Sequence, residues 1–438
     1  MSHAITYHPI PRSLFSHSWP HERRKMQSVW PIGSNAVTSI THKNPSGTQI
    51  VQHSYTYDET NNIVEYLNSI DGQTSYDYDF LGQLISADSE NLTDESYTYD
   101  ANGNRIVANG DTYTTGDNNE LTSDGTYTYT YDAEGNRTSK TNATNRELYT
   151  WDYRNRLTSV TQQEWDSVEQ DWKTTQIVEY TYDYKNFWIR KTVGNNSTIF
   201  IPENYQTTVQ IDNNTVSHNY LWTPNQQDKL LADTTTDNVS WSLTDHLGTI
   251  RDILGDNTTH LIYDAFGNLT SGTNPLLFGF TGKAFDTDTD LQNNINRWYD
   301  ATVGRWLSTD PIGFEGNDTN LYRYVENRPF AYLDTFGQMK YAPARCTNTG
   351  KVKGWYGTTV CRFYCTCPEG YMLGLSESQW RDSPCDRTPQ PTCFKPEPTD
   401  YLILALALGL TCADGPLPVG DSAAVVIGGS RVKILLGI

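Results

Sequence analysis

Tyr97-Thr98-Tyr99-Asp100-Ala101-Asn102-Gly103-Asn104-Arg105-Ile106-Val107 reads as one β-hairpin. The alternation Tyr-Thr-Tyr puts both rings on one face of a strand, because side chains repeat every second residue. Asp100 ends the strand, and Gly103 stands where a tight turn needs positive φ. Arg105-Ile106-Val107 then starts a return strand. Tyr129-Thr130-Tyr131-Asp132-Ala133-Glu134-Gly135-Asn136-Arg137 repeats the pattern. Further copies begin at Tyr55-Thr56-Tyr57-Asp58, Tyr76-Asp77-Tyr78-Asp79, Trp151-Asp152-Tyr153-Arg154, Tyr180-Thr181-Tyr182-Asp183 and Tyr263-Asp264. Tyr57, Tyr78 and Tyr99 are spaced by 21 residues, which is one hairpin-sized unit. Consecutive units laid side by side predict a mainly β, meandering antiparallel sheet, with tyrosines in ladders roughly 5 Å apart as its core. In this reading the Asp of each unit caps its turn.

Composition agrees with that reading. The chain has 438 residues, of which only 36% are hydrophobic, yet it carries 29 Tyr, 13 Phe and 12 Trp. Aromatic rings therefore have to fill the interior, and rings with a polar tip suit a wide, half-wet sheet. The net charge of −20 excludes sequence-independent nucleic-acid binding, which needs clustered Lys and Arg. Residues 338–438 carry 10 basic against 8 acidic side chains, so the acidity belongs to the body. Met1–Trp30 has no apolar leader, and the array is expected to begin inside a longer protein.

This grammar resembles the YD repeats of the Rhs and insecticidal-toxin families over roughly residues 45–270. Those families wind such hairpins into a spiralling shell, and with about ten or fewer repeats this chain is expected to be too short to close one alone. From Thr244 to Gly337 the likeness is more specific. Asp245-His246-Leu247-Gly248-Thr249-Ile250-Arg251, Phe280-Thr281-Gly282-Lys283, Arg297-Trp298-Tyr299-Asp300, Gly304-Arg305-Trp306 and Asp310-Pro311-Ile312-Gly313 follow in order. Asn320–Pro329 and Asp334-Thr335-Phe336-Gly337 complete the series, which is similar to the Rhs repeat-associated core. The expected divisions are an irregular segment 1–44, repeats 45–270, the core 271–337, a cysteine-rich region 338–400 and an apolar end 401–438.

In related proteins the core plugs the shell and acts as an intramolecular aspartyl protease that releases the variable C-terminal segment. Two carboxylates sharing a proton perform acid and base steps together. The resemblance implies Asp310 as a catalytic residue, Arg305 as an orienting cation, and Asp300 or Asp334 as the second carboxyl. The family's DPxGL cleavage sequence reads Asp334-Thr335-Phe336-Gly337-Gln338 here, which places self-cleavage near Gly337 and Gln338. An amide in a pocket built for Leu forfeits about 1.5–3 kcal/mol of apolar burial, which predicts slowed cleavage. No other enzymatic site is found. His246 reads as a turn histidine, and no cofactor or metal is implied by the motifs.

All seven cysteines, Cys346, Cys361, Cys365, Cys367, Cys385, Cys393 and Cys412, lie in the tail. They read as disulfide candidates with one left over, in an oxidising compartment. Zinc is the competing reading, weakened because the tail holds neither His nor a paired CxxC. Tyr401–Cys412 and Ala423–Ile438 are apolar but shorter than the roughly 18 residues of a spanning helix, so each is expected as a buried helix or a stored hairpin. Two functions remain open. One is a secreted or surface shell that encloses and presents an effector-like tail, with an immunity protein or secretion machinery as partners and membrane contact by the tail. The other is a non-enzymatic surface protein binding glycans on its aromatic sheet.

Overall fold

The computed structural model describes residues 2–6, 37–224, 226–316 and 318–338, together with the backbone of tail strands between 342 and 436. The chain divides into two compact units, Met1–Gln52 with Ala342–Ile438, and His53–Tyr341.

In the second unit the repeats form meanders in which every strand pairs with its sequence neighbours. One meander runs from the strand Gln49–Tyr57, which enters this unit at His53, to Asp111–Thr112, and a second of 15 strands runs from Thr114–Thr115 to Thr258–His260. The repeat chemistry explains each turn. The Oδ1 atoms of Asp58, Asp79, Asp100, Asp132, Asp152 and Asp183 each accept backbone N–H groups from the residues two and four positions on. The residue three positions on takes positive φ, and it is Asn61, Gly82, Gly103, Gly135, Asn155 or Asn186. A register shift at the second aromatic of each unit completes a bulged hairpin. Asp245 and Asp264 build the same turn, so Asp245-His246-Leu247-Gly248 is a repeat turn without its tyrosines.

The two aromatics of a unit have different tasks. The first is buried, as at Tyr55, Tyr76, Tyr97, Tyr129, Tyr149, Tyr180 and Tyr220. The second stitches its hairpin to the preceding one through its polar tip. Tyr78, Tyr99 and Tyr182 donate their hydroxyls to the carbonyls of Ile63, Leu84 and Leu157, at 2.6, 2.7 and 2.6 Å. Trp151 and Trp222 do the same with their indole N–H, to Arg137 and Thr207.

The expected tyrosine ladder does not form. A return strand lies between successive tyrosine-bearing strands; Tyr76, for example, faces Ala87 across the ladder. Equivalent rings therefore sit two strand spacings apart, about 10 Å. Four of them pack instead, tilted or edge to face, against rings from Phe266 onward: Tyr76 on Phe330 at 4.4 Å, Tyr97 on Phe266 at 5.1 Å, Tyr180 on Trp298 at 4.6 Å and Tyr220 on Phe278 at 4.9 Å, while Tyr55 stacks on Tyr66 of the wall at 5.4 Å. Each such pair contributes about 0.5–1.5 kcal/mol beyond burial.

Those partners belong to a plug built around four short antiparallel strands, Ala284–Asp286, Leu291–Asn293, Trp298–Asp300 and Arg305–Trp306. Tyr299, Trp306, Leu307, Tyr322 and Tyr324 are among its fully buried side chains. Early and late hairpins also meet directly. Ala265 N–H donates to both carboxylate oxygens of Glu95, and His260 contacts Asp71 at 2.7 Å across 189 residues of chain.

In the first unit, Ser2–Thr6 pairs with Ser39–Lys43. The tail forms an antiparallel set of Arg345–Lys353, Thr359–Thr366 and Ser378–Ser383, with Cys346 opposite Cys365 in the backbone register. Ala423–Gly428 pairs with Arg431–Leu436 as a hairpin. Tyr401–Cys412 and the side chains of all seven cysteines lie outside the described residues. Among the described residues no helix is long and apolar enough to cross a membrane.

Candidate functional site

The site forms where Arg297, at the entry to the strand Trp298–Asp300, meets the last described residues of the unit. Arg297 lies over the Trp306 ring at 4.2 Å, and that contact sets the plane of its guanidinium. Its Nη2 is 2.9 Å from Asp310 Oδ2 and 3.0 Å from Asp334 Oδ2. Two carboxyls thus share one nitrogen of one arginine. Nε of the same side chain donates to the Gly337 carbonyl at 2.6 Å, and the Gln338 N–H donates to Asp334 Oδ1 at 3.1 Å. Both sides of the Gly337–Gln338 peptide are therefore in contact with the carboxylate–arginine cluster.

Local sequence explains each placement. Asp310-Pro311-Ile312-Gly313 is a turn in which Asp310 Oδ1 accepts the Ile312 N–H at 3.0 Å and Gly313 takes φ +57°. The segment leading to the peptide is held carbonyl by carbonyl. Asn294 donates to Asp334 O, Lys283 to Thr335 O and Asn296 to Phe336 O, at 2.5, 2.7 and 2.8 Å. Gly337 adopts φ +66°, and a Cβ there would lie 2.6 Å from the Asn294 carbonyl oxygen and 2.9 Å from Arg297 N, so no side chain fits.

Burial raises the Asp310 carboxyl to about 7; Arg297 opposes the rise and Asp334 adds to it. Asp334 is raised as well, again chiefly by burial and against Arg297. Burial and mutual repulsion thus favour the protonated form of both carboxyls, against the arginine they share.

Arg305 and Asp300 are placed elsewhere. They are cross-strand partners in the backbone, yet their side chains diverge toward the repeat wall. Arg305 donates to Asn104 Oδ1 at 2.9 Å, and Asp300 pairs with Arg137 at 2.7 Å. Lys140 and Arg137 hold the Asp300 carboxyl down at about 2 despite its burial. Both residues join plug to wall through the Asn-Arg steps of the repeats, Asn104-Arg105 and Asn136-Arg137. Arg105 itself lies against the rings of both Tyr97 and Phe266, at 4.8 and 3.9 Å. His246 is half-buried, and its Nε2 lies 3.2 Å from Phe330 O. Among the described residues no cluster of three metal-ligating side chains occurs.

Arg297, Lys283, Asn294 and Asn296 were not assigned roles from the sequence. Arg297 stood in a quoted motif, but two motif arginines compete for one role, and only the pleat decides between them.

The family model described as Teneurin YD-shell matches residues 33–330, more than half of the chain. The chain belongs to the Teneurin YD-shell family. As a YD-shell protein of the Rhs/YD group it is similar over 79 residues, at 39% identity, to the putative uncharacterized protein YibJ of Escherichia coli K12, a match covering 17% of this chain and 33% of that protein. It is 41% identical over 61 residues to the probable deoxyribonuclease RhsA of Dickeya dadantii, covering 14% and 4%. The crystal structure of TcdB2-TccC3-Cdc42 superposes with a TM-score of 0.54 at 19% identity, covering 69% of this chain and 18% of that one, and shows the shared fold. The YD-shell described here spans a third or less of the length of each of these relatives.

Proposed function

We propose that this YD-shell encloses and presents the segment following residue 337, and that its plug cuts its own chain at the Gly337–Gln338 peptide. The observation that carries this reading is Arg297, which binds both carboxyls and the Gly337 carbonyl at once. Arg297 Nε is placed to stabilise the oxyanion as water adds to the Gly337 carbonyl carbon. The ionised carboxyl of the Asp310–Asp334 pair takes the proton from that water. The other carboxyl, which carries the pair's proton, gives it to the departing nitrogen as the C–N bond breaks; the Gln338 N–H already donates to Asp334 Oδ1, which keeps that nitrogen against the pair. The products are a Gly337 carboxylate and a Gln338 amine, so the water is fully accounted for.

Release of the tail fits a toxin-type protein, secreted or surface-displayed, whose partners would be an immunity protein or export machinery and whose tail would contact membranes. Relatives named as a deaminase toxin and a deoxyribonuclease support that placement. The glycan-binding alternative has less support, since the first tyrosine of each repeat is buried against the plug or wall.

Intact-mass spectrometry of the purified full chain is the test. A species ending at Gly337 in the unaltered protein, absent from Asp310→Asn and Asp334→Asn, is expected. An uncut chain, or equal cutting in the two variants, overturns the proposal.

A further inference from the structure

The hairpin Asn196–Glu203/Gln206–Asp212 closes on a two-residue loop, Asn204-Tyr205, in which both residues have positive φ, +50° and +65°. Such a turn favours Asn-Gly, since a Cβ in the left-handed region meets the backbone. The next hairpin closes on Asn213-Asn214, at φ +49° and +65°, with residues that tolerate that conformation. A tyrosine at position 205 thus stands against the preference of its own backbone. Burial does not explain it either, because Tyr205 is 52% exposed. A residue held in a strained conformation points to a role that its surroundings enforce.

Its ring provides one. Tyr205 lies 5.6 Å from Phe187 and 5.3 Å, edge to face, from Phe336. Phe336 is the residue before Gly337. Its carbonyl is held by the side chain and backbone N–H of Asn296, at 2.8 and 3.2 Å, and Asn296 Oδ1 accepts from Asn186 Nδ2 at 2.8 Å. Asn186 and Phe187 belong to one repeat turn and Tyr205 to the next tip on the same edge of the meander, two hairpins on. Two wall hairpins therefore grip residue 336 from both its ring and its carbonyl.

Building on the self-cleavage reading, we propose that Tyr205 is a positioning residue: it anchors an aromatic at 336 and thereby sets the Gly337–Gln338 peptide on the arginine and its carboxyls. The wall, through this ring, decides whether the plug can cut, and the preferred residue before Gly337 is aromatic. Loss of the anchor lets the segment drift, and displacements near 1 Å cost on the order of a hundredfold in rate.

The experiment compares Tyr205→Gly and Tyr205→Phe in the full chain. Tyr205→Gly converts the loop to Asn-Gly, so its thermal midpoint should equal or exceed that of the unaltered protein while cleavage slows by about tenfold to a hundredfold. Tyr205→Phe should cleave at the unaltered rate. In an Asp310→Asn background, hydrogen exchange at the Gln338 amide should accelerate with Tyr205→Gly and not with Tyr205→Phe, a readout that needs no cleavage. Unchanged exchange in Tyr205→Gly, or equal loss in both variants, overturns the assignment of Tyr205. An unaltered protein that stays uncut yet shows the exchange difference overturns the protease reading alone.

Discussion

Arg137 and Asp300 meet at 2.7 Å in a buried ion pair that joins residues 163 apart in the chain, one on a repeat hairpin and the other in the plug. The Arg137 ring contact with Tyr129, at 4.6 Å, places the same guanidinium on the repeat's buried tyrosine. Removing one partner strands the other charge away from water. Asp300→Ala should therefore cost about 3–5 kcal/mol in urea unfolding, and the paired replacement of both residues by apolar ones should recover most of that loss. Equal losses in the single and double variants would contradict the pairing.

Acid should act through the same carboxyl. Asp300 is held at about 2, below its ordinary 3.8, so the folded state binds its proton less tightly than the unfolded chain does. Its contribution, about 2 kcal/mol, is present above pH ~4 and disappears as pH falls through ~2. Urea titrations between pH 5 and 2 should show a steeper stability loss in the unaltered protein than in Asp300→Asn.

His260 gives the opposite sign. Its Nδ1 is 2.6 Å from Asp252 and its Nε2 is 2.7 Å from Asp71, and these two hydrogen bonds raise it to about 9. A raised histidine stabilises fully below ~6.5 and loses that contribution as pH rises through ~9. The unfolding midpoint should fall across that window, and His260→Gln should flatten the profile. A midpoint independent of pH between 6.5 and 9 in the unaltered protein would exclude a charged clamp.

Asp310 separates chemistry from stability. Its carboxyl is raised to about 7 and is largely neutral in mildly acidic solution, so Asp310→Asn should change stability by less than about 1 kcal/mol at pH 6. Cleavage should fall by about a hundredfold to ten-thousandfold, the usual contribution of an acid–base group. In the unaltered protein the rate should decline as pH rises through ~7, where the shared proton leaves the pair. A rate that keeps climbing to pH 9 would sink this assignment.

The stitching hydroxyls are tested by Tyr99→Phe. Removing the donor leaves the Leu84 carbonyl without its 2.7 Å partner and should cost about 1–3 kcal/mol. Tyr182→Phe acts on the Leu157 carbonyl of a distant repeat, so the two losses should add. Denaturant midpoints for both single variants and the double variant decide it.

Local chemistry was legible in the residues themselves. Strand, turn and return strand were readable at Tyr97–Val107 because alternation, a capping Asp and a positive-φ Gly are properties of neighbours within about ten residues. The plug's motifs and the carboxyls at 310 and 334 could be named by resemblance for the same reason. What the rings pack against could not be read that way, since a return strand separates equivalent tyrosines and leaves them to the plug. Nor could the choice between Arg297 and Arg305. Both follow the motif grammar, and only the folding of a strand entry onto Trp306, beside two carboxyls from distant loops, sends one guanidinium to the peptide and the other to Asn104. Short-range spacing determined the hairpins; contacts between residues tens to hundreds of positions apart, which no spacing encodes, decided the site.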